Sequence, residues 1–244
     1  MSEASDMEAL KREIEAYWAG REAKFEALRL DELNSDKRGR WLCELRRYLP
    51  TGRRLDILDI GTGTGFFSFL LAAEGHNVTG IDLTEEMIRG AEHSASLLGL
   101  YPAFLVMDAE NPAFEPESFD AIVTRNLTSF LPNLPEAYIK WYTLLRQGGI
   151  LVNFDGDYHH DKSEAPLPEN HAHKDLTAAQ NEAYAHIESA LRRLQQPRPG
   201  WDMALLADAG YRDCRVDREC WRRIYREIDR FYNPTPIFCV TARK

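Results

Sequence analysis

The chain has 244 residues, 44% of them hydrophobic, which is enough for one α/β domain with a modest insertion. Its formal net charge is −9 and its pI is about 5.3, and an acidic surface repels the phosphate backbone of nucleic acid. No apolar run approaches the length of a membrane span, and the four cysteines are scattered without a C-x-x-C pair. We therefore expect a cytoplasmic protein with reduced thiols that binds neither membrane nor nucleic acid.

The first 50 residues are predicted to form a helical cap in front of a main domain that spans residues 51–244. Apolar side chains recur at helical spacing in the first part of this cap, at Leu10, Ile14, Tyr17 and Trp18. A second helix is predicted to begin near Asn34 or Ser35, either of which can cap it with its side chain. Such helices either cover a site or form a subunit interface, so a monomer and a homodimer both remain open.

Residues 50 to 155 alternate between strand and helix signals, as a parallel sheet requires. Strands are predicted near 55–60, 77–82, 103–107, 119–123 and 149–154, with helices over about 65–74, 85–98 and 135–146. Gly99 ends the second of these helices, and Pro132 and Pro135 mark the start of the third. The pattern predicts a Rossmann-like, doubly wound sheet flanked by helices.

The remainder of the chain begins with an insertion, placed at about residues 155–200. Its first part, 155–175, is rich in Asp, Glu, His and Pro and lacks periodicity, which predicts a loop or lid. Helices are predicted over about 177–194 and 201–209. Two further strands, near 211–217 and 236–241, then complete the sheet.

The most informative local pattern follows the first strand. Gly61, Gly63 and Gly65 stand at alternate positions, and the next strand ends in Asp82. Glycine permits a sharp turn and a close approach of the backbone to a ligand. An acid at the end of the second strand can accept hydrogen bonds from both ribose hydroxyls. This layout is typical of a nucleoside-binding β-α-β unit.

Two residues indicate which class of nucleoside-containing ligand the unit binds. A dinucleotide fingerprint would place its third glycine at position 66, where the chain has Phe66. Asp59 would repel a pyrophosphate, whereas it tolerates a ligand that carries an ammonium and a sulfonium group. A P-loop is excluded because its lysine is missing. S-adenosylmethionine is a ligand of the favoured kind.

The segment 59–65 resembles motif I of the class I S-adenosylmethionine-dependent methyltransferases. Further segments resemble the later motifs of that family in the same order, at 80–87, 107–110, 119–127 and 144–152. Gln147 stands where the family usually has proline. The resemblance covers roughly residues 50–155. It implies a seven-stranded sheet that is mostly parallel, with the last strand antiparallel.

The resemblance also implies which residues hold the cofactor S-adenosylmethionine and its product S-adenosylhomocysteine. In the family, the acid after the second strand holds the ribose, and the apolar residue after it packs on adenine. The acid of the third motif faces the adenine amino group, and an N-terminal helix often folds over the cofactor. The predicted cofactor-binding residues are Tyr17, Asp59, Gly61, Thr62, Gly63, Gly65, Asp82, Leu83, Met87, Asp108, Ala109, Glu110, Arg125, Asn126 and Leu127.

Catalytic residues leave a weaker signal, because the cofactor supplies the reactivity in methyl transfer and a base is needed only if the acceptor must lose a proton. The acceptor should meet residues after the fourth and fifth strands. Asp157, His159 and His160 are the catalytic candidates there, and a solvated lid is the alternative for the histidines. With His171 and His173 they fit no tight metal motif, so no metal is predicted.

Charged and aromatic residues outside the motifs receive simpler interpretations. Lys37, Arg38 and Arg198 are interpreted as solvated cations, although each could instead meet the cofactor carboxylate or an anionic substrate. An aromatic-rich tail is interpreted as core or subunit contact, with a pocket wall as the alternative; its members are Trp221, Tyr225, Phe231 and Tyr232.

These observations predict a methyltransferase that acts on a small-molecule acceptor through oxygen, sulfur or nitrogen. The acidic surface and the lack of a separate recognition domain favour a metabolite over a macromolecule. Two alternatives remain. One is a non-catalytic module that binds S-adenosylmethionine or S-adenosylhomocysteine and regulates a partner. The other is a nicotinamide-dependent oxidoreductase, against which Phe66 and Asp59 argue.

Overall fold

A seven-stranded sheet forms the centre of the molecule in the computed structural model, which describes residues 3–161, 167–169, 171 and 176–244. The strands are β1 (Asp56–Ile60), β2 (Asn77–Asp82), β3 (Ala103–Val106), β4 (Phe119–Arg125), β5 (Leu145–Gly156), β6 (Arg212–Asp217) and β7 (Ile237–Arg243). In the described residues the helices are α1 (Glu3–Ala19), α2 (Glu22–Leu33), α3 (Lys37–Tyr48), α4 (Phe66–Ala73), α5 (Glu85–Leu98), α6 (Leu134–Leu144), α7 (Ala178–Leu194), α8 (Gly200–Asp208) and α9 (Cys220–Ile224).

The strand order is β3-β2-β1-β4-β5-β7-β6. Strands β1 to β5 are mutually parallel, and β7 is antiparallel to both of its neighbours. The predicted mostly parallel sheet with an antiparallel last strand is therefore confirmed. The order reverses at β1, which lies between β2 and β4, and this is the point of an open α/β sheet at which a ligand crevice forms.

Alternate side chains of the central strands face two apolar cores, one on each side of the sheet. Ile57 and Val152 belong to one core, and their neighbours Leu58 and Leu151 belong to the other. Because successive strand residues point to opposite faces, a run of apolar residues such as β1 is buried on both sides.

The N-terminal region contains three helices where the sequence predicts two. The unpredicted α2 begins without a side-chain cap at Arg21, and its buried residues include the acid Glu32, so neither a capping signal nor a clear apolar stripe marks it. Trp41 of α3 is fully buried against Phe67 and Phe154 in a core that also contains strand residues. The domain boundary at residue 50 stays a prediction.

Two cations that were interpreted as solvated are buried, and that interpretation was wrong. Lys37 has no exposed surface and pairs with Glu227 at 2.6 Å. Arg198 donates to both oxygens of Asp202, at 2.5 and 2.9 Å, and lies 3.2 Å from Asp155 at the end of β5. This network fixes the segment before α8 against the sheet, and buried charges are tolerated because they are paired.

Within the described residues, none of the helices combines the length and the apolar character that crossing a membrane requires. The same part of the chain contains no group of three or more His, Cys, Asp or Glu side chains arranged to hold a metal ion. His173, one member of the group considered for a metal, lies outside the described residues.

Candidate active site

A cavity of about 570 Å³ opens at the carboxyl ends of β1, β2 and β4. Its wall also includes residues of α1, α2 and α7 and of the segment between α9 and β7. All but two of the predicted cofactor-binding residues line it. Those that do are Tyr17, Asp59, Gly61, Thr62, Gly63, Asp82, Leu83, Met87, Asp108, Ala109, Arg125, Asn126 and Leu127.

The two predicted residues that do not line the cavity have other contacts. A Cβ atom on Gly65 would lie 2.5 Å from the ring of Phe69, so this glycine is required for packing of α4. The side chain of Glu110 accepts a hydrogen bond from the amide of Asn133 at 2.6 Å and pairs with Lys11. Both residues therefore contact the elements that form the cavity wall and are not part of the wall itself.

Gly63 shows how closely the loop after β1 can approach a ligand. Its φ is +53°, a left-handed conformation that favours glycine, and no atom lies within 4 Å of the place where a Cβ would stand. Its amide donates a 2.9 Å hydrogen bond to Asp82 Oδ2, while Asp82 Oδ1 accepts from the amide of Thr84 at 3.0 Å. Burial raises the pKa of Asp82, and these amides oppose that shift.

Asp59 is a buried acid without a cationic partner. Its Oδ2 accepts hydrogen bonds from Thr62 Oγ1 at 2.8 Å and from Ser68 Oγ at 2.7 Å. Burial raises the pKa of this carboxyl to about 6 despite those two bonds. None of the ion pairs in the described part of the chain includes Asp59, so a ligand cation in the cavity would be its natural counter-charge.

Lys11 of α1 joins the N-terminal helix to the acids that follow β3. Its Nζ lies 2.7 Å from Asp108 Oδ2 and 2.7 Å from Glu110 Oε2. Burial acts to lower the pKa of Lys11, but its two carboxylate partners raise it overall. The residue was missed by sequence reasoning, because nothing local in α1 indicates a partner 97 positions along the chain.

The three residues predicted to be catalytic do not line the cavity. His159 is buried, and its Nε2 donates to the carbonyl of Ser129 at 2.7 Å. Burial also lowers its pKa. His160 Nδ1 contacts Asp157 Oδ1 at 2.8 Å, and Asp157 Oδ2 accepts from the amide of Arg198 at 3.0 Å. The turn after β5 directs all three into protein contacts, so the structure gives no support to their predicted catalytic role.

Tyr158 is the residue of this turn that does line the cavity; the sequence places it among the residues after the fifth strand that should meet the acceptor but does not single it out. Its hydroxyl donates to Asn126 Oδ1 at 2.9 Å and accepts from Asn233 Nδ2 at 2.6 Å. Burial raises the pKa of Tyr158 well above its usual value, so the hydroxyl stays protonated. Asn126 has a φ of +54°, and the Tyr158 hydroxyl holds its amide group in place.

Members of the aromatic tail also reach the cavity. Tyr225, Phe231 and Tyr232 line it, which agrees with the alternative of a pocket wall. Trp221 does not; its Nε1 donates to the carbonyl of Asn233 at 2.8 Å. The segment from α9 to β7 therefore contributes three aromatic side chains to the cavity wall.

Residues 58–153 match a protein-family model described as a methyltransferase domain. Phosphatidylethanolamine N-methyltransferase of Cereibacter sphaeroides is 30% identical over 142 residues, which are 57% of this chain and 66% of that protein. A ubiquinone biosynthesis O-methyltransferase of Pseudomonas putida is 30% identical over 151 residues, which are 61% of this chain and 62% of that protein. The chain spans from 40% to 66% of the length of the curated relatives that it matches.

Among solved structures, the chain is similar to phosphoethanolamine N-methyltransferase 2 of Haemonchus contortus in complex with S-adenosyl-L-methionine. The TM-score is 0.60 with 19% identity, and the alignment covers 83% of this chain and 51% of that chain. At this level of identity the likeness shows a common fold.

Proposed function

The chain belongs to the class I S-adenosylmethionine-dependent methyltransferases, and from this premise we propose that it transfers a methyl group from S-adenosylmethionine to a small-molecule acceptor. The observation that carries the proposal is the cavity at the reversal point of the sheet, lined by Asp59, Asp82 and the open face of Gly63. The relatives named above include an N- and an O-methyltransferase, so the proposal extends to the reaction class and not to the acceptor atom.

The residues of the cavity fit this cofactor. S-adenosylmethionine carries an ammonium and a sulfonium group, and Asp59 is a buried carboxylate that lacks a cation. The open backbone at Gly63 provides the close approach that a nucleoside needs, and Asp82 still has lone pairs available for ribose hydroxyls. Bound in this way, the cofactor supplies the electrophilic methyl carbon.

The protein then contributes position and exclusion of water. Asp82 fixes the glycine loop, and the Lys11 ion pairs hold α1 beside the acid that follows β3. On the acceptor side, Tyr158 and Asn126 are locked to each other and present polar atoms at the end of β4. Holding the acceptor in line with the sulfonium carbon converts a bimolecular step into an effectively unimolecular one.

Proton removal by the predicted histidines is not part of the proposal. His171 is the one histidine among the described residues that line the cavity, and its Nε2 donates to the carbonyl of Tyr232 at 2.8 Å. An acceptor whose nucleophilic atom carries a free lone pair at neutral pH needs no base.

The test uses methyl-labelled S-adenosylmethionine, the purified protein, and a desalted cell extract split into small-molecule and macromolecular fractions. We expect label in a new small molecule with the parent protein and little with Asp82→Ala. Asp208→Ala, at an exposed position at the end of α8, is the matched control and should behave as the parent. Label in the macromolecular fraction would contradict a small-molecule acceptor. Cofactor binding without any transfer would favour the non-catalytic module.

A further inference from the structure

Three arginines from distant parts of the chain line the side of the cavity beyond β1. Arg29 comes from α2, Arg125 from the end of β4, and Arg230 from the segment before β7. The acids expected to meet the cofactor stand at the ends of β1 and β2 and after β3. In the sheet, β2 and β4 lie on opposite sides of β1. The cavity is therefore acidic on the side of β2 and β3 and carries arginine on the side of β4.

Arg29 and Arg125 share a single carboxylate. Arg125 Nη2 lies 2.9 and 3.1 Å from the two oxygens of Glu32, and Arg29 pairs with the same side chain. Glu32 is fully buried and also accepts from Trp41 Nε1 at 3.0 Å. Two guanidinium groups against one carboxylate leave an excess of positive charge in a buried place, which is unfavourable without a further anion.

The excess of positive charge affects the pKa of Arg29. Burial and the neighbouring Arg125 together lower the pKa of Arg29, while Glu32 opposes this change. Arg230 is separately paired with Asp31 at 2.7 Å. Glu15 also lines the cavity, but within the described residues no ion pair joins it to Arg29, Arg125 or Arg230.

The guanidinium group of Arg125 is held between aromatic rings, and not all of its N–H donors are used. Its guanidinium carbon lies 4.3 Å from the ring centroid of Trp41 and 4.6 Å from that of Phe66. Only 9% of its side chain is exposed, yet Nε and Nη1 find no hydrogen-bond partner among the described residues. Buried polar groups are almost always satisfied, so an incompletely bonded guanidinium at the cavity wall, beside an excess of positive charge, favours a ligand that carries negative charge.

We propose that the acceptor of this enzyme carries an anionic group, a carboxylate or a phosphate, which Arg125 receives with the support of Arg29 and Arg230. The inference rests on the proposed function, because the anion occupies the same cavity as the cofactor. Arginine suits this task because its planar donors match the oxygens of both groups. The aromatic residues around it would contact the rest of the acceptor.

The competing explanation is that this arginine unit holds the carboxylate of the cofactor itself. The first arm of the experiment decides this by measuring the affinities of S-adenosylhomocysteine and of 5′-methylthioadenosine, which lacks the amino-acid part. We expect Arg125→Gln to change neither affinity appreciably. A loss confined to S-adenosylhomocysteine would assign the arginines to the cofactor and overturn the proposal.

The second arm measures anion binding by calorimetry to protein saturated with S-adenosylhomocysteine. The probes are benzoate, inorganic phosphate and the neutral benzamide. We expect at least one anion to bind, benzamide not to bind, and Arg125→Gln to weaken the anion by at least about tenfold, the effect of one lost charge-assisted hydrogen bond. Arg222→Gln, on the exposed surface of α9, is the matched control. No anion binding, or equal binding by the parent and Arg125→Gln, would overturn the proposal.

Glu32→Gln should raise the affinity for anions, whereas Arg125→Gln should lower it. This opposite effect distinguishes an anion site from a simple folding defect. Removing the shared carboxylate frees more of both guanidinium groups, so anion affinity should increase, whereas a merely structural role of this cluster would weaken it.

Anion-exchange chromatography of the labelled product completes the test. Retention of the product supports the proposal, and an unretained product overturns it while the proposed function stands. If no label is transferred, the proposed function fails and the calorimetric arm alone decides whether the anion site exists.

Discussion

The amide of Gly63, in the loop after β1, donates a 2.9 Å hydrogen bond to Oδ2 of Asp82 at the end of β2. The other oxygen of Asp82 accepts from the amide of Thr84, which precedes α5. One carboxylate therefore ties together two backbone segments that line the same cavity. Removing the side chain would therefore disturb the loop together with any ligand contact, so two different substitutions are needed to separate these effects.

We expect Asp82→Ala to weaken S-adenosylmethionine binding by about 1.5–3 kcal/mol, the range for a lost hydrogen bond to a charged group. Asp82→Asn should weaken it less, because the amide oxygen can still accept from Gly63 or Thr84. Isothermal calorimetry with the purified variants measures both effects. Parent-like affinity in Asp82→Ala would show that the carboxylate neither shapes the loop nor contacts the ribose.

The affinity for S-adenosylmethionine should fall as the pH is lowered through about 6. Burial raises the pKa of Asp59 to about 6, so below that pH the free protein carries a neutral carboxyl group there. A cationic ligand favours the charged form, and binding must then displace a proton. Calorimetry between about pH 8 and about pH 5 measures the slope, which should be absent in Asp59→Asn. The same slope in that variant would assign the proton to another group.

Asp59→Asn should stabilise the ligand-free protein near neutral pH while it weakens cofactor binding. The pKa of Asp59 is raised in the folded state from 3.8 to about 6, so this carboxyl favours folding below pH 3.8 and loses that contribution as the pH rises through about 6. Replacing it with a neutral amide should recover up to about 3 kcal/mol, the free energy that corresponds to raising the pKa of a carboxyl from 3.8 to about 6. Urea unfolding of both proteins at neutral pH measures the difference. A less stable Asp59→Asn protein would mean that the hydrogen bonds from Thr62 and Ser68 outweigh the burial of charge.

Lys11→Met should accelerate dissociation of the cofactor. Lys11 is the group that attaches α1 to Asp108 and Glu110, and losing a partly buried ion pair of this kind should loosen the helix by about 1 kcal/mol. Stopped-flow measurement of cofactor release and hydrogen exchange of the α1 amides report the effect. Arg12→Gln, at the next and exposed position of the same helix, is the control and should change neither quantity.

The histidines after β5 should affect stability and not methyl transfer. His160→Gln should leave cofactor affinity and labelled-product formation unchanged, because this side chain contacts Asp157 and does not line the cavity. His159→Ala should lower the unfolding midpoint, since it empties a buried site and removes one of the two donors to the carbonyl of Ser129, leaving only Gln195 Nε2 at 3.1 Å. Slower transfer by His160→Gln at full cofactor occupancy would restore the predicted catalytic role.

Elements with a strong local signal were predicted close to their observed bounds. The helix predicted over 85–98 is observed as Glu85–Leu98, and Gly99 ends it in a left-handed conformation. The strand predicted at 77–82 is observed as Asn77–Asp82. Helix α2 was missed because its caps and its buried face lack a local pattern, so tertiary packing alone accounts for it.

Most of the residues proposed for the cofactor were found from sequence because they stand at or after the carboxyl ends of β1 to β4. Parallel pairing of β1 with β2 and β4 places the carboxyl ends of these strands at one edge, whatever the rest of the chain does. The turn after β5 is different. Whether His159, His160 or Tyr158 faces the cavity depends on packing against Ser129 and Arg198, which no periodicity records.

The sequence by itself therefore determined the order of strands and helices between residues 50 and 155 and the positions of the acids at the ends of β1 and β2. These follow from short-range hydrogen bonding, glycine geometry and the spacing of apolar residues, whereas the family was indicated by resemblance. Only the tertiary structure decided which charges meet across the chain. Lys11 reaches Asp108 over 97 positions and Arg125 reaches Glu32 over 93. An ion pair depends on the distance between two groups in space, and for groups this far apart in sequence the fold alone sets that distance.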